Sequence, residues 1–522
     1  MFVHGPSKTV LLRVKDPFYI RDLLPTSRTV DHEKFNVAVK HTLGATKILR
    51  NVGINVPAPI HTQYKWPGKY TPFDHQRVMS EFLTFNKKCF NLSEMGVGKS
   101  ASALWAADWL MEAGLVRKVL VLSPLSTLER VWKNDIFDVL MHRSCAKMHG
   151  SRAQRLEALG YDVDFYIMNH EGVKIEEIHK ALKAREDIDL IIVDEASVFR
   201  NHSTGLYKAL RTLVRDDQRL WLLTGTPTPN APTDAWALAR LVNPTNVPKF
   251  FGAFKRATMK HISQFKWVPM PDAGETAYKA LQPAIRFKKA DCLTLPPLVT
   301  TERQTTLTKE QAKAFKSMMT TLRMEASGGG KIGAVNAADK ITKLRQILCG
   351  VVKDPETDRY VEIDHKTRTA TLLDVMSEAS AKILVIVPFK GIIQTLEKEV
   401  SKHYSVAVVN GDVSPKKRDE IFLNFKTQAD PHVLLCHPAV MSHGLNLTEA
   451  DMLIFYAPIY SNDQFLQVVE RFNRTGQTRK MTVVRIGAHP VEWNIYKATD
   501  VKAGSQQNLL DLYKSIITMG DE

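Results

Sequence analysis

At roughly 100–200 residues per domain, 522 residues are enough for about three domains, which excludes a single small binding module, and 44% hydrophobic with 24% charged side chains excludes a disordered chain. Lysine and arginine number 71 against 55 acidic residues, a formal charge of +16 that makes a polyanion the first expected partner. The cysteines (Cys89, Cys145, Cys292, Cys349, Cys436) lack any C-x-x-C pair, arguing against a disulfide framework or zinc site and for a reducing cytoplasm; no run reaches the ~18 apolar residues of a membrane helix, and the start is not a signal peptide.

In chain order, residues 1–69 carry eleven basic and four acidic side chains, a net of +7, and read as a small basic domain that could contact DNA or a junction. Pro57, Pro59 and Pro67 make its connection stiff. Nearby Tyr64, Trp66 and Tyr70 can either stack on bases or pack that connection. From 70 to 241, the apolar runs Cys89–Leu92, Val119–Leu122, Leu190–Val193 and Leu220–Leu223 alternate with amphipathic stretches. Such short runs predict buried parallel strands of an α/β domain. Residues 242–366 turn mixed helical and irregular, with the glycine tract at 327–330 read as a surface loop or hinge. A second series, Ile383–Val387, Val406–Val409, Val433–Leu435, Leu453–Phe455 and Val483–Ile486, predicts a second α/β domain over 367–505, followed by a tail at 506–522.

Two segments carry chemistry. Ser93, Glu94, Met95, Gly96, Val97, Gly98, Lys99 and Ser100 lie between a predicted strand and a predicted helix. Glycines there let backbone N–H groups approach phosphates, the helix N-terminus favours negative charge, and Lys99 can reach the β- and γ-phosphates. Ser100 is positioned to offer an oxygen to Mg²⁺. The strict phosphate-loop pattern has glycine where Ser93 stands. The apolar run Leu190–Val193 leads into Asp194 and Glu195, placing the first to hold Mg²⁺ and the second to orient and deprotonate a water.

With these motifs in this order, the chain resembles superfamily-two helicases, and more closely the Swi/Snf family of double-stranded DNA translocases, over roughly residues 70–500. The resemblance implies an α/β fold of two RecA-like parallel-sheet domains forming a helicase motor, with a small basic N-terminal domain and a helical insert of family-type protrusions and linker. ATP and Mg²⁺ are the implied cofactors. Where the family commonly has Asp-Glu-x-His, this chain has Asp194, Glu195, Ala196 and Ser197. The segment 223–230 is similar to the family's coupling segment, with Thr224 and Thr226 relaying the nucleotide state toward DNA. Gln467, Arg471, Arg474 and Gln477 match a segment in which the two arginines act on the γ-phosphate across a domain cleft; on one helix they would share a face. Gln76 falls where the family reads adenine. Ser123 and Pro124, with Trp132 further along, resemble the first DNA-backbone segment; Asn410, Gly411, Arg418 and Phe425, and then Ser442, Gly444 and Asn446, resemble its counterparts in the second domain. The Leu295-Pro296-Pro297 stretch and the helix at 344–347 resemble the family's linker elements.

The resemblance implies an ATP-dependent translocase that tracks on duplex or branched DNA, bound largely through its phosphates, and remodels it in replication, recombination or repair. No membrane partner is expected, and a monomer is, because both halves of the ATP site lie in one chain. The alternatives are a strand-separating helicase, a motor that displaces protein, and an ATP switch that binds a protein partner.

Overall fold

The computed structural model describes residues 1–500 apart from 230, 264–265, 294, 328–333, 355–358, 442–446, 460–461 and 475. Its contacts divide the chain into Met1–Thr228 with Pro232–Cys292, and Pro229–Ala231 with Leu293–Glu522.

The first unit opens with four antiparallel strands, β1 (Phe2–His4), β2 (Thr9–Leu12), β3 (Arg28–His32) and β4 (Phe35–Lys40), in the order β1-β2-β4-β3. Alternation turns Val10, Leu12, Val37 and Val39 to one face, where they bury against Ile20 and Leu24 at the Pro17–Leu23 helix and Ala45 and Leu49 of the Leu43–Asn51 helix. A short connection ties this layer to the rest of the unit. Tyr64 is 6% exposed, and its hydroxyl donates to Asp108 at 2.6 Å. Trp66 packs edge-on against Tyr64 and Trp105 with Arg77 over its ring. Gly68, at φ +104°, lies where a Cβ would meet the Val139 carbonyl at 2.4 Å. Tyr64 and Trp66 therefore pack the connection and are not available to stack on bases; Tyr70 stays exposed.

Next come the strands β5 (Lys88–Asn91), β6 (Lys118–Ser123), β7 (Cys145–Met148), β8 (Phe165–Asn169), β9 (Ile188–Asp194) and β10 (Arg219–Leu223), then a hairpin of β11 (Met259–Ser263) and β12 (Lys266–Pro269), and β13 (Ala284–Ile285). Seven form one sheet in the order β13-β5-β10-β9-β6-β8-β7, every neighbouring pair parallel. Its central strands are apolar throughout because helices cover both faces: Leu120, Leu122, Ile191 and Leu222 belong to one core, and Val119, Val121, Ile192 and Trp221 to the other.

The second unit has its own parallel sheet. It comprises β14 (Leu298–Gln304), β17 (Lys382–Ile386), β18 (Val406–Val409), β19 (Val433–Cys436), β20 (Ala450–Phe455) and β21 (Met481–Gly487), in the order β14-β21-β20-β17-β19-β18, while β15 (Val351–Lys353) pairs with β16 (Tyr360–Glu362) in a hairpin. The helices Lys309–Ser327 and Ala334–Cys349 pack Phe315, Met319, Ile341, Leu344 and Ile347 against Val491 and Ile495 of the Pro490–Asp500 helix. Inside this unit Arg368 and Glu492 form a fully buried ion pair at 2.5 Å; Arg368 also donates to the Tyr456 carbonyl at 2.6 Å.

Every predicted apolar run is a strand, and the fold is the expected pair of parallel-sheet domains. The stretch 242–366 does not stand as one insert, however: it divides at Cys292, the part before it belonging to the first unit and the part after to the second. The prolines at 296–297 lead into β14, and the Pro297 carbonyl accepts from Met481 N–H. The glycines of the 327–330 tract and the tail at 506–522 lie outside the described residues. Among the described residues, no helix is long and apolar enough to cross a membrane.

Candidate active site

Parallel strands present their C-terminal ends together, and register brings three sequence-predicted segments to one edge of the first sheet. Leu223 of β10 lies opposite Asn91 of β5 on one side and Asp194 of β9 on the other. The loop 92–98 leaves β5 at this edge, and Thr224 follows β10 beside it, its N–H donating to the Asn91 carbonyl at 3.0 Å.

The loop is built from backbone geometry that glycine permits. Gly96 and Gly98 have φ of 80° and 85°, and Gly98 caps the Lys99–Glu112 helix in the left-handed region. A Cβ on Gly98 would also sit 2.0 Å from Gln76 Nε2, so the position is closed on both counts. Ser93 is not among the positive-φ residues. It is fully buried, and its hydroxyl accepts the Phe287 N–H at 3.0 Å while Glu94 accepts that of Lys289 at 2.9 Å. A side-chain oxygen at this site thus fastens the segment after β13 to the loop, which glycine could not do. Lys99 Nζ donates to the Ser93 and Glu94 carbonyls at 2.9 and 3.0 Å, and Ser100 lies in the first helical turn.

Gln76 is buried on the Asp74–Phe85 helix, with its amide between the Phe73 N–H (3.0 Å) and the Val97 carbonyl (3.4 Å). His75 also reaches that carbonyl, at 3.0 Å. Gly225 brings the coupling segment against the loop: a Cβ there would be 3.5 Å from Met95 N and the Ser93 carbonyl. Thr224 is buried, and its hydroxyl accepts the Thr226 N–H at 3.2 Å.

Asp194 ends β9 with both carboxylate oxygens engaged. Trp132 Nε1 donates to Oδ2 at 2.9 Å, and the Glu195 N–H donates to Oδ1 at 3.1 Å. His170 Nε2 sits 2.8 Å from the Asp194 carbonyl, and burial holds this imidazole below its ordinary pKa, so the neutral ring serves as an N–H donor. Glu195 has φ 49° and ψ 49°, left-handed backbone that a glutamate rarely adopts. Trp132 corrects the sequence reading: rather than contacting DNA, it is a fully buried side chain that fixes the carboxylate. Its segment, Leu128–Lys133, is π-helical. Sequence reasoning also missed His170, whose signal, one histidine after the apolar run Phe165–Met168, is weak. Ser123 ends β6 opposite Asn169, with Pro124 next to it on the same edge.

In the second unit Gln467 and Arg471 lie four apart on the Asn462–Phe472 helix, whose other face buries Phe465, Val468 and Phe472. The helix ends at Phe472, so Arg474 sits beyond it and the expected shared helical face is not formed. Gln477 is a buried latch: its amide donates to the Ala450 carbonyl at 2.9 Å and accepts from the Thr478 and Arg479 N–H groups at 3.0 Å each. Gly411 follows β18, where the neighbouring Asp412 pairs with Lys390 at 2.6 Å. Arg418 donates to the Val413 carbonyl and Phe425 is in the core. Ser442, Gly444 and Asn446 lie outside the described residues.

Two parallel-sheet domains, the first with a phosphate loop facing a strand-terminal Asp-Glu pair, define the helicase class of nucleotide-driven motors. The SNF2-related domain family matches residues 77–353, the helicase conserved C-terminal domain matches 367–476, and the chain belongs to the SNF2 family. It is 26% identical to putative protein p41 of Acyrthosiphon pisum secondary endosymbiont phage 1, over 78% of this chain and 90% of that one. It is 25% identical to an uncharacterized ATP-dependent helicase of Mycoplasma genitalium over 75% of this chain, and to the ATP-dependent DNA helicase DDM1 of Arabidopsis thaliana over 77%. The chain spans only 37% and 57% of the length of those two relatives. Among solved structures it is similar to the Sulfolobus solfataricus SWI2/SNF2 ATPase core in complex with dsDNA, with 21% identity, a TM-score of 0.40, and coverage of 87% of this chain and 98% of that one.

Proposed function

We propose that the chain is an ATP-driven motor that tracks along duplex DNA by its phosphates and remodels branched DNA through branch migration, fork regression or annealing. The observation that carries this reading is the meeting of the phosphate loop, Asp194–Glu195 and Thr224–Thr226 on one sheet edge. A charge of +16 suits a grip on phosphates that is blind to sequence, and one relative is named a DNA helicase.

In this reading Gln76 reads the adenine edge, and the backbone of Glu94–Gly98 with Lys99 holds the β- and γ-phosphates. Glu195 takes a proton from the water that attacks the γ-phosphorus, and ADP leaves. Gln467, Arg471 and Arg474 counter the charge developing on the transferred phosphoryl. Ser100 and Asp194 are oxygen donors of the kind Mg²⁺ selects, and the Asp194 carboxylate is already held in place by two N–H groups. The ion supplies neutralisation of phosphate charge when bound. Pro124 and Gly411, with Ser442, Gly444 and Asn446, contact the DNA backbone; Ser123, fully buried, positions Pro124 and does not itself reach DNA; and Thr224 and Thr226 couple nucleotide state to that grip. A monomer suffices for this cycle.

The test is steady-state ATP hydrolysis without nucleic acid and with single strands, blunt duplex, or a fork or four-way junction. Duplex or junction should stimulate most, and Glu195→Gln should lower the rate by about 10²-fold or more. Stimulation by single strands alone would favour a strand-separating helicase; indifference to every DNA would overturn the reading.

A further inference from the structure

The four-stranded sheet at the N-terminus has a second face that none of the hydrophobic clusters among the described residues covers. Register assigns its residues in two rungs: Phe2, Leu11, Ala38 and Arg28 lie side by side across β1, β2, β4 and β3, and His4, Thr9 and Lys40 form the next rung. These are the partners in alternation of the buried Val10, Leu12, Val37 and Val39, so they point away from the core. Phe2 is 50% exposed, and His4, Arg28 and Lys40 are exposed as well.

Phe2 ends its rung on the outermost strand, next to Leu11 and Ala38, an exposed apolar row of the kind that a partner covers. Phe2 also belongs to a chain of rings. His4 and Phe2 have centroids 6.3 Å apart, Phe2 and Phe35 6.3 Å, and Phe35 and His32 5.4 Å. The Ser7 N–H donates to His4 Nδ1, which orients that ring. Leu11 and Ala38 lie between Phe2 and Arg28, and Thr9 between His4 and Lys40, a floor without charge between the rings and the cations. Arg28 and Lys40 stand at the far side of the same two rungs. Phe35 and His32 belong to β4 and β3, Phe35 in alternation with the buried Val37 and Val39, so the rings of this face are Phe2 and His4 on β1; with the cations on β3 and β4 they match the two parts of a single strand, whose bases stack while its phosphates seek positive charge.

We propose that this outer sheet face binds single-stranded DNA, with unpaired bases stacked on Phe2 and His4 and the strand's phosphates on Arg28 and Lys40. The occupant is argued from charge complementarity: the domain carries a net of +7, and a duplex, with its bases already stacked, would leave the rings unused. The inference rests on the DNA reading above and gives it direction, since an unpaired strand is what a fork or junction exposes.

The test uses the full chain and two separable measurements. Fluorescence anisotropy follows binding of a fluorescein-labelled oligothymidylate of about 20 nucleotides, long enough to span one such platform. Phe2→Ala/His4→Ala should weaken binding by about tenfold, and Phe2→Tyr/His4→Tyr should restore most of it, as loss and return of stacking predict. Arg28→Ala/Lys40→Ala should lower the slope of log affinity against log salt by about 1.4, for two single-strand phosphates. A strand carrying 5-iododeoxyuridine should crosslink within residues 1–40. Unchanged affinity in the ring variant, crosslinks confined to other residues, or tighter binding of an oligouridylate than of the thymidylate would each overturn the proposal. ATP hydrolysis by the unaltered protein with blunt duplex is read separately: its failure counts against the motor on DNA, whereas the anisotropy result counts for or against this face alone.

Discussion

At the scale of single residues, the most informative contact in the site is the one from Trp132 to Asp194, 62 positions apart in the chain and 2.9 Å apart in space. In the proposed cycle Asp194 holds a cation, and a carboxylate in that role is best kept from rotating by constraints on both oxygens; the indole N–H supplies one of them from a side chain that is itself locked in the core. Trp132→Phe keeps the aromatic volume nearly intact and removes only the donor. It should lower kcat for ATP hydrolysis by about tenfold with a smaller change in KM, and cost about 1–3 kcal/mol of stability through the lost charged hydrogen bond. Steady-state kinetics and thermal unfolding on the same preparation check both numbers. A variant that loses stability but keeps kcat would show that the indole only packs. Sequence alone placed Asp194 at a strand end but not its partner, because a hydrogen bond across 62 residues leaves no periodic trace.

Among the elements, the Lys366–Ser377 and Pro490–Asp500 helices are joined by the Arg368–Glu492 pair, with both side chains 1% exposed. The Ala488 N–H also donates to Glu492, at 2.7 Å. Arg368→Met strands a buried carboxylate and should cost about 3–5 kcal/mol. Arg368→Met/Glu492→Gln removes the stranded charge and should regain at least half of that loss, read as non-additivity in a urea-unfolding cycle; strictly additive losses would mean that the two side chains do not act as a pair. Most strands that were legible are buried on both faces, which writes a continuous apolar run such as Leu190–Val193 or Ile383–Val387; edge strand β18 was read from its valines alone. Several that were missed lack that burial, although β8, buried on both faces through Phe165–Met168, was missed too. In β7, Lys147 is exposed on the sheet's outermost strand; β14 alternates through Thr300, Glu302 and Gln304 at the edge of its sheet; β13 is two residues long. The phosphate loop was legible because its chemistry is local, down to the glycines at 96 and 98. The end of the Asn462–Phe472 helix was not, since Arg474 follows it with no proline or glycine before Gly476 to mark the stop.

For the whole molecule, the described hydrophobic clusters fall wholly within one unit or the other: those around β5–β10 and the N-terminal sheet in the first, those around β17–β21 and the Val491–Ile495 packing in the second. Cores that share no side chains melt separately, so calorimetry should resolve two transitions, with Arg368→Met lowering only the one belonging to the second unit. Nucleotide then becomes a probe of which unit touches it. A ligand that binds only the native form stabilises what holds it by about 2.7 kcal/mol at a hundred times its Kd. ADP should raise the first transition, because the loop from Ser93 to Ser100 lies in that unit alone. A non-hydrolysable ATP analogue should raise both transitions, the second through Arg471 and Arg474 on its added phosphate, and Arg474→Ala should cancel the second shift while leaving the first. If the analogue moves only the first transition in the unaltered protein, the two arginines do not hold the γ-phosphate, and a motor in which ATP engages both units loses its physical basis.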